Sequence, residues 1–419
     1  MGGRFVEAAD GASFEVENPA TGEFFARAAQ GSATDIDRAL RAARCAFDEG
    51  PWPNMSPVER ERVLHRLADL VEANAERLAA VETLDNGMPQ GLARDGALPM
   101  GIQALRHYAG WPTKLTGDTV PLSAEGKWHA YTMREPGGVV GAICAWNFPV
   151  SMACGKLAPA LAAGCTVVLK PAEQTPLSAI LLAELVAEAG VPEGVVNIVT
   201  GFGREAGQAL VYHPMADKIS FTGSTATGRH ILETKTKSLK RVTLELGGES
   251  PNMIFADADL EAAIPAAAMA FIGASGQVCV ARSRLFIERS VFEEVSKGIA
   301  EFAAGLKVGN GADPETVIGP LVSQTQFDRV KGFLDLGSTE GARRLGGGTQ
   351  GGYFVKPTVL ADVDGQSRLM REEIFGPVVV ATPFDVDDLS AAAALANDTF
   401  RSRPAHSFTA AGCRGRSST

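Results

Sequence analysis

Hydrophobic residues follow two alternating patterns through the middle of the chain. Short runs rich in valine and isoleucine predict buried strands, and the segments between them carry apolar residues at helical spacing. We predict strands at 138–144, 165–170, 195–200, 218–222 and 242–246. We predict one helix that ends at Ala163 and three more at 177–189, 204–213 and 225–237. Strands that alternate with helices favour a parallel, doubly wound sheet, so we predict an α/β fold.

The segments on either side of this region differ in pattern. Ser56, Pro57 and Glu59 form a capping box at the start of a helix whose apolar face continues to a stop at Asn86-Gly87. The polar, turn-rich stretch 115–134 predicts a protruding arm or hairpin. A second α/β segment runs from 251 to about 399.

Composition excludes several classes of protein. The 419 residues suffice for two or three domains, and 45% apolar with 21% charged residues is typical of a globular protein. A net charge of −10 without a basic block argues against nucleic acid as a partner. We see no signal peptide and no apolar stretch long enough to span a membrane. Six scattered cysteines suggest reduced thiols, and we expect a cytoplasmic protein.

Two short stretches contain a carboxylate and a cysteine of the kind that a covalent oxidation needs. Glu245 ends an apolar, β-branched run before two glycines, and Cys279 lies 34 positions later among small residues. A thiol nucleophile and a carboxylate base on different loops suit oxidation of an aldehyde through a thioester. The plain alternative for a cysteine is a small buried hydrophobic residue. We assign that alternative to Cys144, Cys154 and Cys165, which lie in or beside apolar segments.

Nucleotide chemistry is indicated at the ends of two predicted strands. In 221–228, Gly223 and Ser224 would let phosphate approach N–H groups at a helix N-terminus, although a plain strand-to-helix turn fits this pattern at least as well. Lys170 and Glu173 follow another strand, at the edge where open α/β sheets bind ligands. Both could bond a ribose diol, and Glu173 would repel a 2′-phosphate, which favours NAD over NADP. Their plain alternative is a surface ion pair.

Asn147 is a candidate oxyanion donor. It lies in Trp146-Asn147-Phe148-Pro149, directly after an apolar strand, and its amide could donate to a developing negative charge. The plain alternative is an asparagine that satisfies a turn. None of the six histidines lies beside Cys279 or in these motifs, and no cysteine or histidine cluster has metal-ligand spacing, so we predict no metal site.

Together these motifs resemble the aldehyde dehydrogenase superfamily. The resemblance runs from Asn18 to Thr399 and includes six motifs in order: WNFP at 146–149, KPAEQTP at 170–176, FTGST at 221–225, LELGGESPN at 244–252, GQVC at 276–279 and EEIFGP at 372–377. It implies a Rossmann-like NAD-binding domain at 1–114 and 138–246, an oligomerisation arm at 115–137 and an incomplete α/β catalytic domain at 247–399.

The resemblance also implies a role for each matching residue. Cys279 would be the nucleophile, Glu245 the general base and Asn147 the oxyanion donor. The cofactor would be NAD and the substrate a small aldehyde. The implied cofactor-binding residues are Lys170 and Glu173 (adenosine ribose), Gly223 and Ser224 (pyrophosphate), Glu373 (nicotinamide ribose), Phe375 (beside the nicotinamide) and Trp146, for which no part of NAD is specified.

Two other functions stay open at this point. A relative that transfers the acyl group to coenzyme A would share most motifs, but such relatives generally lack the carboxylate base, so Glu245 argues for hydrolysis. The other is a truncated, non-catalytic remnant that at most binds nucleotide or a partner.

The last 20 residues depart from the family. After Thr399 the family continues with an aromatic residue, Gly-Leu-Ala and several tens of residues, whereas 400–419 is rich in Arg, Ser and Gly and shows no strand or helix period. Deleting one nucleotide from codons for residues 400–404 restores Phe-Gly-Leu-Ala, so we expect a frameshift. The missing segment would line the substrate tunnel and pair with a neighbour's arm. We therefore expect an exposed sheet edge, low stability, weak activity and an impaired homo-oligomer.

Overall fold

The computed structural model describes residues 1–399 and 406–408, apart from the side chains of 234–238 and 406–408. The predicted aberrant tail, 400–419, otherwise lies outside the described residues. Two compact units emerge: 1–17, 24–82 and 93–245 form the first, and 18–23, 83–92 and the chain from Leu246 form the second. The predicted domain limits stay a prediction.

The first 246 residues contain nine strands. The strands are β1 (Ser13–Asn18), β2 (Glu23–Ala29), β3 (Thr119–Val120), β4 (Ala130–Tyr131), β5 (Val139–Ile143), β6 (Thr166–Lys170), β7 (Val196–Ile198), β8 (Lys218–Gly223) and β9 (Arg241–Leu246). Five of them form one sheet in the order β7-β6-β5-β8-β9. Strand β5 pairs in parallel with both β6 and β8, and β6 with β7, as the alternating pattern predicted.

Nine α-helices lie in the same part of the chain. They are α1 (Ala33–Asp48), α2 (Pro57–Ala73), α3 (Ala75–Asn86), α4 (Gln90–Leu92), α5 (Leu98–Ala109), α6 (Pro149–Ala162), α7 (Leu177–Glu188), α8 (Gln208–Tyr212) and α9 (Thr225–Ser238). The helix predicted at 204–213 is shorter, because a wider turn at Gly203–Gly207 precedes α8.

The capping box is confirmed, but the helix that it starts is two helices. The backbone N–H of Ser56 donates to Glu59 at 2.7 Å, and that of Glu59 donates to the Ser56 hydroxyl at 3.3 Å. The chain leaves the helix at Asn74, whose side-chain amide donates to the Leu70 carbonyl at 2.9 Å. An asparagine that bonds the backbone in this way competes with continued helix. The arm is the predicted hairpin, with β3 and β4 antiparallel.

The second unit is built on a six-stranded sheet. Its order is β12-β15-β16-β11-β10-β17, with β12 antiparallel to β15 and the remaining pairs parallel. Strands and helices after Leu246 are β10 (Pro251–Ile254), β11 (Arg284–Glu288), β12 (Arg343–Leu345), β13 (Gly348–Thr349), β14 (Val355–Lys356), β15 (Thr358–Ala361), β16 (Val378–Phe384), β17 (His406–Phe408), α10 (Leu260–Ile272), α11 (Phe292–Ala304), α12 (Gln324–Thr339), α13 (Arg368–Arg371) and α14 (Leu389–Asn397).

Alternating residues of β11 show that this sheet has an apolar core on each face. Leu285 and Ile287 pack with Phe271 of α10 and Ile299 of α11, whereas Phe286 packs in a second cluster that includes residues of α12. The alternation follows from the two-residue period of a strand. None of the helices in the described part of the chain is long and apolar enough to span a membrane.

One strand lies where no regular structure was predicted. Residues 406–408 form β17, which pairs in parallel with β10, Asn252 lying opposite His406. Strand β10 is therefore paired on both sides, and β17 is the last strand of this sheet. The expectation of an exposed sheet edge stays a prediction. Three residues are too few to show a period, and pairing with a neighbouring strand decides such short segments.

Candidate active site

Three of the predicted motifs follow neighbouring strands of the first unit. Ile143 at the end of β5 lies opposite Lys170 of β6 and Phe221 of β8. The chain passes from β5 to β6 and β7 on one side and then returns to β8 on the other side. Open α/β sheets bind ligands at the carboxyl ends of strands where the order reverses in this way. The carboxyl-terminal end of this sheet therefore carries Asn147, Lys170 with Glu173, and Gly223 with Ser224.

Lys170 and Glu173 form an ion pair that is largely removed from water. The Lys170 ammonium donates to the Glu173 carboxylate at 2.9 Å and to the Pro171 carbonyl at 3.0 Å. The Lys170 side chain is 2% exposed and that of Glu173 is 29% exposed, so this is not the surface ion pair of the plain alternative. The pair offers an N–H donor beside an acceptor, which suits the two hydroxyls of a ribose.

Ser224 begins α9 by capping it. The Ser224 hydroxyl accepts the Thr227 backbone N–H at 3.2 Å. A Cβ at Gly223 would lie 2.6 Å from the Phe221 ring, so packing alone accounts for that glycine. The N-terminus of a helix of this length still favours a negatively charged group.

A buried carboxyl that the sequence did not single out holds the backbone beside Asn147. Asn147 is buried, and α6 begins two residues later. The backbone N–H of Val150 donates to Glu82 at 2.7 Å, and the Ser178 hydroxyl donates to the same oxygen at 3.4 Å. Burial raises the pKa of Glu82 to about 7. Glu82 therefore fixes the first turn of α6 and the loop that carries Asn147.

Lys156 is a second residue that the sequence analysis missed. Its ammonium donates to the Ser220 hydroxyl at 3.1 Å. Burial lowers the pKa of Lys156, while the charges of Cys144 and Glu245 act to raise it. A single lysine in a helix of small apolar residues was the available signal. Glu245 itself lies at an exposed position of β9 and acts electrostatically on this ammonium.

Cys279 follows a turn with an uncommon backbone. After α10 ends at Ile272, Ala274, Ser275 and Gly276 have φ angles of 49°, 57° and 73°. Left-handed backbone costs a non-glycine residue about 1–2 kcal/mol, so the surroundings must hold this turn in place. The Ser275 hydroxyl donates to the Gly319 carbonyl at 2.9 Å. The Gln277 side-chain oxygen accepts the Val322 backbone N–H at 3.0 Å.

Exposure separates Cys279 from the three cysteines that we assigned to the core. Cys144, Cys154 and Cys165 are buried, which confirms that assignment, whereas Cys279 is partly exposed. Burial raises the pKa of Cys144 to about 11 and also raises the pKa of Cys154 and of Cys165. These three thiols are unreactive near neutral pH because the thiolate is the nucleophile.

The segment of Glu373 and Phe375 packs against the Cys279 turn within the second unit. A Cβ at Gly276 would lie 2.6 Å from the Pro377 nitrogen and closer still to the Gly376 carbonyl. Phe375 has a φ of 60°, and its carbonyl accepts the Gln326 side-chain amide at 2.8 Å. Only a glycine at 276 permits this approach, so the GQVC and EEIFGP motifs are neighbours in space.

Apart from Glu245 on β9, the predicted residues thus form two groups. Asn147, Lys170, Glu173, Gly223 and Ser224 lie at one sheet edge of the first unit, and Cys279, Glu373 and Phe375 lie together in the second. Trp146 adjoins the first group, where its carbonyl accepts the Thr175 hydroxyl at 3.3 Å. Among the described residues, no cluster of three or more His, Cys, Asp or Glu side chains is arranged to hold a metal ion.

The sequence and the structure of this chain are similar to those of known aldehyde dehydrogenases. The model of the aldehyde dehydrogenase family matches residues 5–411. DhaS of Bacillus subtilis is 50% identical over 389 residues, which are 92% of this chain and 78% of that protein. Human mitochondrial aldehyde dehydrogenase is 46% identical over 377 residues, 89% of this chain and 72% of that protein. The NAD⁺ complex of aldehyde dehydrogenase from Bacillus cereus is 46% identical with a TM-score of 0.95, covering 98% of this chain and 83% of that one. The chain belongs to the aldehyde dehydrogenase family.

Proposed function

We propose that this protein oxidises an aldehyde to a carboxylic acid with NAD, through a thioester on Cys279 that is hydrolysed with Glu245 as general base. The observation that carries this proposal is the turn before Cys279. Left-handed residues and buried hydrogen bonds hold it, and it presents a partly exposed thiol while three other thiols are buried. Such strain is typical of a functional site.

The first half of the reaction is a covalent addition. The Cys279 thiolate attacks the carbonyl carbon, and the oxygen of the resulting thiohemiacetal becomes negatively charged. The side-chain amide of Asn147 and the backbone N–H of Cys279 donate to this oxygen. Loss of one such donor typically lowers the rate by about 10²–10³. Bound NAD would supply the hydride acceptor, and loss of the hydride from the former carbonyl carbon would leave a thioester on Cys279.

The second half is hydrolysis. Glu245 takes a proton from water, the water oxygen attacks the thioester carbon, and the acid leaves as the Cys279 thiolate is restored. A carboxylate at 245 supports this step over transfer to coenzyme A.

NAD is the cofactor, and the chain has a donor set that fits it. The Lys170–Glu173 pair suits the adenosine ribose, and the capped N-terminus of α9 at Gly223 and Ser224 suits the pyrophosphate. Glu373 offers a carboxylate to the nicotinamide ribose, with Phe375 beside the nicotinamide. The Glu173 carboxylate disfavours the 2′-phosphate of NADP.

The arm and the cysteines support two further parts of the proposal. Exposed apolar side chains on the 115–134 hairpin, among them Trp128, Tyr131 and Met133, support self-association of this chain.

None of the five cysteines in the described ranges takes part in a disulfide, which supports a cytoplasmic location.

Turnover by purified protein tests the reaction. The 419-residue protein is mixed with NAD and a small aliphatic aldehyde, and NADH is followed for wild type, Cys279→Ala and Cys45→Ala. Cys45 is an exposed cysteine and serves as the matched control. We expect sustained NADH release from wild type and Cys45→Ala and none from Cys279→Ala. A single burst that coenzyme A converts to turnover would contradict hydrolysis by Glu245, and NADH release by Cys279→Ala would contradict the nucleophile.

A further inference from the structure

The second unit contains a buried carboxyl group that the proposed reaction does not use. Glu249 is 5% exposed and lies in the loop between β9 and β10. The Ser283 hydroxyl and the Ile374 backbone N–H both donate to its carboxylate. The backbone carbonyl of Glu249 accepts a hydrogen bond from the Arg284 guanidinium at 2.7 Å. The same guanidinium also donates to the Ala396 carbonyl at 2.7 Å. Hydrogen bonds therefore hold both the side-chain carboxylate and the backbone carbonyl of Glu249.

Glu249 and Glu373 are linked by a reciprocal pair of hydrogen bonds. The N–H of Ile374, the residue after Glu373, donates to the Glu249 side chain. The N–H of Gly248, the residue before Glu249, donates to the Glu373 side chain at 3.3 Å. A Cβ at Gly247 would lie 2.6 Å from the Glu373 carboxyl carbon, so only glycine allows this approach. We call these two bonds the Glu249–Glu373 clamp.

We propose that Glu249 is a positioning residue that sets Glu373 for the nicotinamide ribose only while Glu249 is ionised, which makes NAD affinity depend on pH. The inference rests on the proposed role of Glu373. An ionised carboxylate has acceptor sites for both Ser283 and Ile374. A protonated one commits an oxygen to its own proton and holds the Ile374 N–H more weakly, because hydrogen bonds to a charged acceptor are about twice as strong.

The groups around Glu249 place the ionisation of its carboxyl group near neutral pH. The pKa of Glu249 is raised to about 7, mainly by burial and in addition by the negative charge of Glu373. The Ser283 and Ile374 hydrogen bonds and the Arg284 charge act in the opposite direction. Asp398 acts on Arg284 from beyond α14.

The size of the effect follows from the ionised fraction. With a pKa of about 7, that fraction rises from about 0.1 at pH 6 to about 0.9 at pH 8. If only the ionised form holds Glu373 correctly, the apparent Kd for NAD falls about tenfold over that range.

Direct titration of NAD at several pH values tests the proposal. All variants carry Cys279→Ala, which removes the proposed nucleophile so that binding is measured without turnover, and binding is measured by calorimetry from pH 6 to 8.5. We expect the parent to show the tenfold change and Glu249→Gln, which cannot ionise, to show none. Ser283→Ala removes a donor that favours the charged form, so its transition should move to higher pH. Glu184→Gln removes an exposed carboxylate that pairs with Arg77 away from this clamp and should keep the parental transition.

The outcomes separate this inference from the proposed function. Glu373→Gln should weaken NAD binding throughout the pH range, and parental affinity in this variant would overturn the role of Glu373 together with the clamp. Weakened binding in Glu373→Gln, with the full pH dependence kept in Glu249→Gln, would overturn the role of Glu249 alone. If Glu249→Gln does not fold, an unshifted transition in Ser283→Ala overturns the proposal instead.

Discussion

Replacing Gly276 by alanine is expected to reduce stability and turnover together. Gly276 has a φ of 73°, and an added Cβ would lie 2.6 Å from the Pro377 nitrogen and closer to the Gly376 carbonyl. Every one of these neighbours is backbone, so no flexible side chain can move aside. The Cys279 turn and the Glu373–Pro377 segment must therefore separate.

The expected loss of stability in Gly276→Ala has two parts. Alanine in the left-handed region costs about 1–2 kcal/mol, and forcing an extra methyl group into a packed site typically costs about 1–3 kcal/mol. A combined loss of about 3 kcal/mol corresponds to a fall in Tm of about 6–12 °C for a unit of this size. A displacement of 1 Å at the nucleophile lowers kcat by about 10²-fold.

Gly273→Ala is the matched control for this substitution. Gly273 lies at the start of the same turn, has an ordinary φ, and has open space where a Cβ would be. Thermal unfolding and NADH formation are measured for both variants, together with the rate at which a thiol reagent labels Cys279. A Gly276→Ala protein with the Tm, kcat and labelling rate of Gly273→Ala would refute the close approach of the two segments.

Four further substitutions test other parts of the site. Asn147→Ala should lower kcat by about 10²–10³ and leave the Kd for NAD unchanged, as measured by steady-state kinetics and titration. Glu173→Gln should narrow the preference for NAD over NADP by about tenfold, or 1.4 kcal/mol, in the ratio of kcat/KM values. Glu82 has a raised pKa, so it stabilises the fold below its unfolded pKa and loses that contribution as pH rises to about 7. Glu82→Gln should remove a fall of about 3 kcal/mol in the free energy of unfolding over this window, measured in urea at each pH. Arg284→Met should lower the free energy of unfolding by about 2–6 kcal/mol, because it leaves the buried Glu249 and Ala396 carbonyls without their donor at about 1–3 kcal/mol each, and an unchanged urea midpoint would contradict this.

The sequence was sufficient for the central sheet of the first unit. Each of the five predicted strands is present, because valine- and isoleucine-rich runs bounded by glycine fit a buried parallel strand and little else. The order of the strands then places Asn147, Lys170 and Ser224 at one edge. The break at Asn74 was not predicted, because the apolar face of α2 and α3 continues across it. The contact of the asparagine amide with the Leu70 carbonyl, together with the non-helical backbone of Asn74, shows where the first helix ends.

Residues whose role depends on distant partners could not be found in the same way. Glu249 bonds Ser283 and Ile374, which lie 34 and 125 positions away, and Glu82 bonds Val150 and Ser178. In the sequence both are ordinary charged residues, one in a glycine-rich loop and one on a helix. Their burial, which raises the pKa of each to about 7, exists only once the fold brings those partners together.

Cys279 shows where sequence and structure contribute different arguments. Several cysteines in this chain have small or apolar neighbours, so residue type alone does not select one, and the sequence argument depended on the order of six motifs. The structure supplies an independent physical reason. Burial keeps Cys144, Cys154 and Cys165 in the thiol form, whereas Cys279 follows three left-handed residues and stays accessible. A backbone that costs folding energy just before this one cysteine fits the nucleophile role proposed for Cys279, because packing alone would favour a relaxed turn.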